Sequence, residues 1–377
     1  MKRLSAPQQL ALDTILSRSA DGIGIWLINP MEWAMIDRLA RVPEGTYRRQ
    51  PVETYRRMLV NSACCMVDQW IPENPLTIGA HGYESNTARG ATTGAETVVV
   101  DGIEINQPED VVAHLERIAF PALRATTEDF DEDQHVRAII AHERQVQDLL
   151  GDEMLKAPYC PAVFPSLGYW KYGYANYFMA YALYPEVMEQ HFKLQADHAV
   201  RVNRAVARAL IEGELPTYLR LDHDMADSRG TLVDITSLDR IWFPHFARCL
   251  EPLVRANIRM IWHCDGNLMQ MAPRLLAAGI KGFQGFQYEC GMDYDRICRM
   301  KAHDGDDLLI IAGVSVTHTL PHGTPDDVRK EMRWLVERGP QRGLFLGCSS
   351  SIAPGVPWEN LQTLVEGFWH YRTHGRH

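Results

Sequence analysis

The sequence predicts an α/β protein, a (β/α)8 TIM barrel with a helical N-terminal extension, on three observations. From Tyr218 onward the chain repeats, five times in succession, a short apolar run followed by a helix-forming stretch. Such a repeat implies a parallel sheet with right-handed crossovers. Earlier strand signals near Gly24 and Cys160 make a closed eight-stranded ring the economical reading. No linker divides the 377 residues, so residues 1–377 read as one domain, of which about residues 1–110 form the extension.

Taken in order, residues up to about 76 read mostly as helix, opened by Ser5 and Pro7 and interrupted by a short strand at residues 24–28. Residues 78–87, with His81, Glu84 and Asn86, are polar, Gly-rich and aperiodic, which marks a loop able to cover or line a site. Asp101 and Gly102 sit between apolar residues 98–105 as a hairpin turn. Pro108 then opens an amphipathic helix with Val111, Val112 and Leu115 on one side, and a charged helical stretch covers residues 126–150. Residues 157–170 are rich in aromatic residues, Pro and Gly. They serve either as the wall of a pocket for a planar substrate or as a packed loop. Pro185 begins a long helix whose stripe of Met188, Phe192, Ala199, Val202, Val206 and Leu210 is core, closed by Gly213.

The five strands fall at residues 218–221, 258–262, 282–287, 308–312 and 343–346. Helices follow at 238–256, at 273–278, from Thr324 to a stop at Gly339, and from Pro357. Thr324 is a natural N-cap, with Pro325 in the first helical position and Asp326 and Asp327 in the first turn.

Composition narrows the functions. Hydrophobic residues make up 46% and charged residues 23%, as in a folded globular chain. A net charge of −10 and an isoelectric point near 5.8 argue against nucleic-acid and anionic-membrane partners, which demand a basic surface. With no apolar run of membrane-spanning length and no signal-like N-terminus, a cytoplasmic location is expected. The eight cysteines form no CxxC pair and are expected to be thiols or metal ligands.

A parallel barrel gathers its strand ends in one mouth. Here those ends carry Asp222, Asp224, His263, Cys264, Asp265, Glu289, Cys290 and Cys348, the donor types that bind zinc. Strand side chains alternate, so His263 and Asp265 point the same way and Cys264 the other. The expected metal ligands are His263, Asp265, Glu289 and Cys348. Each of these taken singly is equally an ordinary strand-end residue or a buried thiol.

Several runs together resemble the uroporphyrinogen decarboxylase superfamily, and more narrowly its corrinoid-dependent methyltransferase (O-demethylase-like) branch. They are residues 263–267 (His-Cys-Asp-Gly-Asn), 278–283, Ala312 with Gly313, 320–328, 348–354 and 357–360, with Asp222 to Asp224 and the segment from Asp101 to Val112 behind them. The resemblance implies a (β/α)8 barrel. Decarboxylase members grip substrate carboxylates through an arginine-rich N-terminal motif, whereas residues 24–30 contain no arginine. Methyltransferase members bind zinc through His-x-Cys and a later Cys. His263 and Cys348 fit, and Asp265 stands where the first Cys would be.

By this likeness the chain is a zinc-dependent methyltransferase moving a methyl group from a small methoxylated or methylated donor, aromatic ones included, to a corrinoid (cobalamin) carried by a partner protein. Glu289 would be a ligand or general acid, and Asp222 and Asp224 would orient substrate or the imidazole. The alternatives are transfer from a corrinoid protein to a thiol, a metal-independent decarboxylase in which Asp222 or Asp224 handles the proton, and a binding protein without catalysis. A homodimer is compatible with each.

Overall fold

The computed structural model describes residues 4–26, 28–73 and 97–377. At its centre lies a six-stranded parallel sheet. In spatial order its strands are Gly24–Ile25, Leu344–Cys348, Leu309–Val314, Gly282–Gln284, Arg259–His263 and Tyr218–Asp222. A second parallel pair, Met66–Val67 with Leu155–Lys156, is tied to both edges of that sheet. The Cys65 amide donates to the Ile25 carbonyl at 2.9 Å, and Tyr159 bridges Arg220 in parallel register. The result is a TIM-barrel-like α/β arrangement with the strands' carboxyl ends on one side.

The five strands expected after residue 218 are all present, each followed by helix. Thr324 caps the helix Pro325–Arg338 in a reciprocal box with Asp327. Helix Pro185–Glu212 buries Met188, Phe192, Ala199, Val202, Val206 and Leu210. Asp101 and Gly102 take positive φ, 49° and 81°, at the turn between Val99–Val100 and Ile103–Glu104. Among the described residues no helix is long and apolar enough to cross a membrane.

Elsewhere the elements differ from the sequence reading. The strand expected at 24–28 has a ladder only at Gly24–Ile25, and Leu27 is outside the described residues. The strand signal near Cys160 resolves into Leu155–Lys156 and the lone bridge at Tyr159, because Cys160 turns out of the extended region at φ 48°. Met66–Val67 is a strand within a stretch read as helix. The helix expected over 238–256 is two, Ile235–Ile241 and Phe243–Arg255, parted where Pro244 must sit in a first turn. Gly285, at φ 76°, ends the strand expected to reach residue 287. The loop with His81, Glu84 and Asn86 lies outside the described residues.

The N-terminal segment does more than extend the barrel. It supplies two of the strands, and its helix Ala6–Ile15 is pinned through the Gln8 amide, which donates to the Gly151 and Met154 carbonyls. Phe345, fully buried, lies over Gly24, where a Cβ would sit 2.5 Å from the ring carbons. Phe345→Ala should therefore cost about 3–5 kcal/mol, measured as a lowered urea midpoint with an unchanged slope.

Candidate functional site

Register builds the site. Asp222 lies opposite His263, and His263 opposite Gln284, so the three stand abreast on one face of the sheet. Tyr218, Arg220 and Asp222 alternate onto that same face. Their contacts reach past neighbouring strands, as only inward-facing groups can. Arg220 Nη1 donates to Gln284 Oε1 at 3.4 Å, and Tyr218 OH donates to Asp68 Oδ2 at 3.0 Å.

At the mouth, Asp224, His263 and Asp265 each present a ligand atom, and these atoms lie within 4.8 Å of one another. His263 Nε2 is 3.9 Å from Asp222 Oδ1 and 4.0 Å from Asp265 Oδ1, beyond hydrogen-bond reach of either. The Asp265 amide donates to Asp224 Oδ1 at 2.8 Å, which fixes the two acidic loops against each other. Two buried atoms, His263 Nδ1 and Asp265 Oδ1, have no hydrogen-bond partner. Burial raises the Asp265 carboxyl above its ordinary value, with Asp224 and Asp222 adding to the rise and His263 opposing it. The chain can pass close over the imidazole only because residue 285 is glycine; a Cβ there would lie 2.7 Å from His263 Nδ1.

Beneath the mouth sits a buried ion pair that the sequence reading did not single out. Asp68 Oδ2 accepts from Arg220 Nε at 2.8 Å as well as from Tyr218, and Oδ1 accepts from Trp26 Nε1 at 2.9 Å and the Gln69 amide at 2.6 Å. Burial alone would push the Asp68 carboxyl up. The Arg220 charge and the donors from Arg220 and Trp26 hold it below the usual range. Arg220 Nη1 and Tyr159 OH both donate to Asp222 Oδ2, at 3.2 and 3.0 Å, which leaves Oδ1 turned toward His263. The guanidinium itself is sandwiched between the Trp26 and Tyr159 rings. The available signal was the polar alternation of Tyr218, Arg220 and Asp222 along a strand otherwise made of leucine.

The expected site residues divide. Asp222, Asp224, His263 and Asp265 come together, while Glu289 and Cys348 do not belong to the metal-competent group. Along the last strand the inward positions are Phe345 and Gly347, as the contacts of Gly24 with Phe345 and of Gly347 with Trp26 show. Cys348 therefore alternates outward. It is fully enclosed, and burial pushes its thiol up, with Cys64 and Glu331 adding to the rise. Glu289, on the turn Tyr288–Cys290, accepts from Thr317 Oγ1 and from Ser315 Oγ. Cys264 also faces away, its sulfur accepting from the Met225 amide.

Of the aromatic stretch, Tyr159 reaches the site and Tyr169 OH donates to the Asp224 carbonyl, whereas Phe164 packs on Trp262 and Phe246. His223 is half-buried and accepts from the Leu167 amide; desolvation of its ring pulls it down to about 4, so it is neutral.

No protein-family model matches the chain, and no curated protein matches it. Among solved structures the chain is similar to a methyltransferase from Methanosarcina mazei. The TM-score is 0.57 and the identity 17%, over 98% of this chain and 99% of that one, which shows a shared fold. A β-mannanase from the blue mussel Mytilus edulis, at TM-score 0.39 and 12% identity over 95% and 96% of the chains, is too distant to carry an argument.

Removing one partner of the buried pair leaves the other as an uncompensated charge. Asp68→Ala should cost about 3–5 kcal/mol in chemical denaturation, and adding Arg220→Met to it should restore part of that loss.

Proposed function

We propose that the Asp224–His263–Asp265 cluster holds a divalent metal ion, zinc by preference, and that the chain is a methyltransferase of the demethylating type built on a closed (β/α)8 barrel. The observation that carries this reading is the buried Asp265 Oδ1, left without a hydrogen-bond partner 4.0 Å from His263 Nε2 and beside two further carboxylates. Buried polar atoms are ordinarily satisfied, and the exceptions gather where an ion or ligand belongs. An imidazole and two carboxylates suit zinc with an open position, and one oxygen-rich in character.

The residues divide the work. His263 Nε2, Asp265 and Asp224 would hold the ion. Zinc there would supply Lewis-acid polarisation of a methoxy oxygen on the donor. Asp222, locked by Tyr159 and Arg220, orients the donor next to the imidazole. The Asp265 amide to Asp224 hydrogen bond keeps the two acidic loops in register as substrate enters. The methyl acceptor in this reading is a corrinoid protein, as the sequence resemblance implies. The fold shared with the Methanosarcina mazei methyltransferase is compatible with that assignment.

A decarboxylase reading is weaker, because the buried guanidinium that might grip a carboxylate, Arg220, is already committed to Asp68 and Asp222.

The test is zinc content by elemental analysis alongside methyl transfer to cobalt(I) corrinoid over a panel of methoxyaromatic donors. His263→Ala should lose bound zinc and activity together. Asp265→Asn should weaken zinc by roughly a hundredfold or more, beyond what a supporting residue contributes. Cys348→Ser should keep full zinc occupancy, because its sulfur faces away from the cluster. Stoichiometric zinc in the His263 variant would sink the proposal.

A further inference from the structure

We infer that the mouth selects its methyl donor by charge, accepting cationic and neutral compounds and rejecting carboxylated ones, with Asp222 as the residue that reads the charge. This rests on the metal-site reading above and goes on to the class of donor. Among the described residues neither Asp224 nor Asp265 forms an ion pair with a lysine or arginine; the basic side chain beside Asp265 is the His263 imidazole, at 4.0 Å. Asp222 shares its one guanidinium partner, Arg220, with Asp68.

That guanidinium has little left to offer a ligand. Four of its five N–H donors are engaged, by Asp68, Asp222, Gln284 and Gln69, and its side chain is 3% exposed. The Asp68–Arg220 pair is neutral as a unit, so the three carboxylates of the mouth carry one more negative charge than a divalent ion cancels. His263, only 8% exposed, aims Nε2 at Asp222 and Asp265, whose side chains are 27% and 36% exposed, and Asp224 is exposed beside them, so the acids form an open rim over a buried imidazole that an entering donor meets directly. At contact distance a donor's own charge is felt by these acids, most strongly at low ionic strength, where screening is weak.

Asp222 is the acid left over. Asp224 and Asp265 complete the metal group with His263, while Asp222 stands beside it. Two donors hold its Oδ2, and its Oδ1 faces the imidazole. A carboxylate fixed in this way presents its charge without having to reorganise, which is how a rigid site discriminates between ligands of equal shape.

The experiment titrates the zinc-loaded full chain calorimetrically with three probes of matched shape: para-methoxybenzylamine, para-methoxybenzyl alcohol and para-methoxybenzoate. The expected order is amine, then alcohol, then benzoate, with the amine favoured over the benzoate by about tenfold or more. In Asp222→Asn the amine should fall to within about twofold of the alcohol while zinc content and circular dichroism stay unchanged. Benzoate binding as tightly as the amine, or an amine preference that survives Asp222→Asn, overturns the proposal. The probe order on the unsubstituted chain decides the matter even where the variant does not fold. Zinc content of the same samples keeps the two ideas apart. The expected order without bound zinc supports charge selection and removes the metal reading, whereas full zinc with the order reversed does the opposite.

Discussion

The ion pair between Asp68 and Arg220 is the constraint on which the site depends. Both groups are enclosed, at 1% and 2% exposure, and removing two charges from water is repaid only when every remaining donor and acceptor finds a partner. Here nearly all of them do: Trp26, Tyr218 and the Gln69 amide on the carboxylate, and Gln284, Asp222 and the Gln69 side chain on the guanidinium, four of whose five donors are engaged. Asp68 follows the strand Met66–Val67, and Arg220 lies on Tyr218–Asp222. The pair thus ties the short N-terminal strands to the edge of the main sheet. Its far end fixes Asp222, so the orientation of the acid beside His263 is inherited from contacts made well below the mouth.

Much of this was legible in the residues. The strands after 218 announce themselves as β-branched or leucine-rich runs bounded by turn formers, and Thr324 with Pro325 marks a helix start without ambiguity. Alternation correctly separated Asp265 from Cys264. The same rule applied to the last strand would have turned Cys348 outward, but it needs a register, and register depends on pairing between distant strands. The pairing of Ala312 with Leu346 and of Gly313 with Gly347 supplies it. Glu289 stands apart from the His263 cluster for a related reason: its strand ends at Gln284, and Gly285 sends the chain over the imidazole before Glu289 is reached. The two-residue strands at Gly24–Ile25, Met66–Val67 and Leu155–Lys156 are too short to display any period.

A second acidic pocket lies one strand further round, and it shows by contrast what sets the first apart. Glu289 and Glu331 are matched by hydroxyl and amide donors from Ser315 and Thr317. Burial raises Glu331, and the neighbouring Glu289 raises it further. At the first pocket the Tyr159 hydroxyl donates to Asp222 at 3.0 Å, and Ser350 makes a long contact with Asp265. Each group keeps one buried carboxylate oxygen without a partner, Glu331 Oε2 in one and Asp265 Oδ1 in the other, and what sets the first apart is the meeting of three ligand atoms within 4.8 Å.

The pairing of Gly24 with Phe345 joins the first strand of the sheet to its last. A ribosome delivers Gly24 long before Phe345, so the emerging chain must keep an apolar edge at residues 24–26 unsatisfied until the later strand is made. Such a delay favours transient shielding by a chaperone. It also gives every variant weakened at this seam a second way to fail, through aggregation during manufacture in the cell before any finished molecule exists to be destabilised.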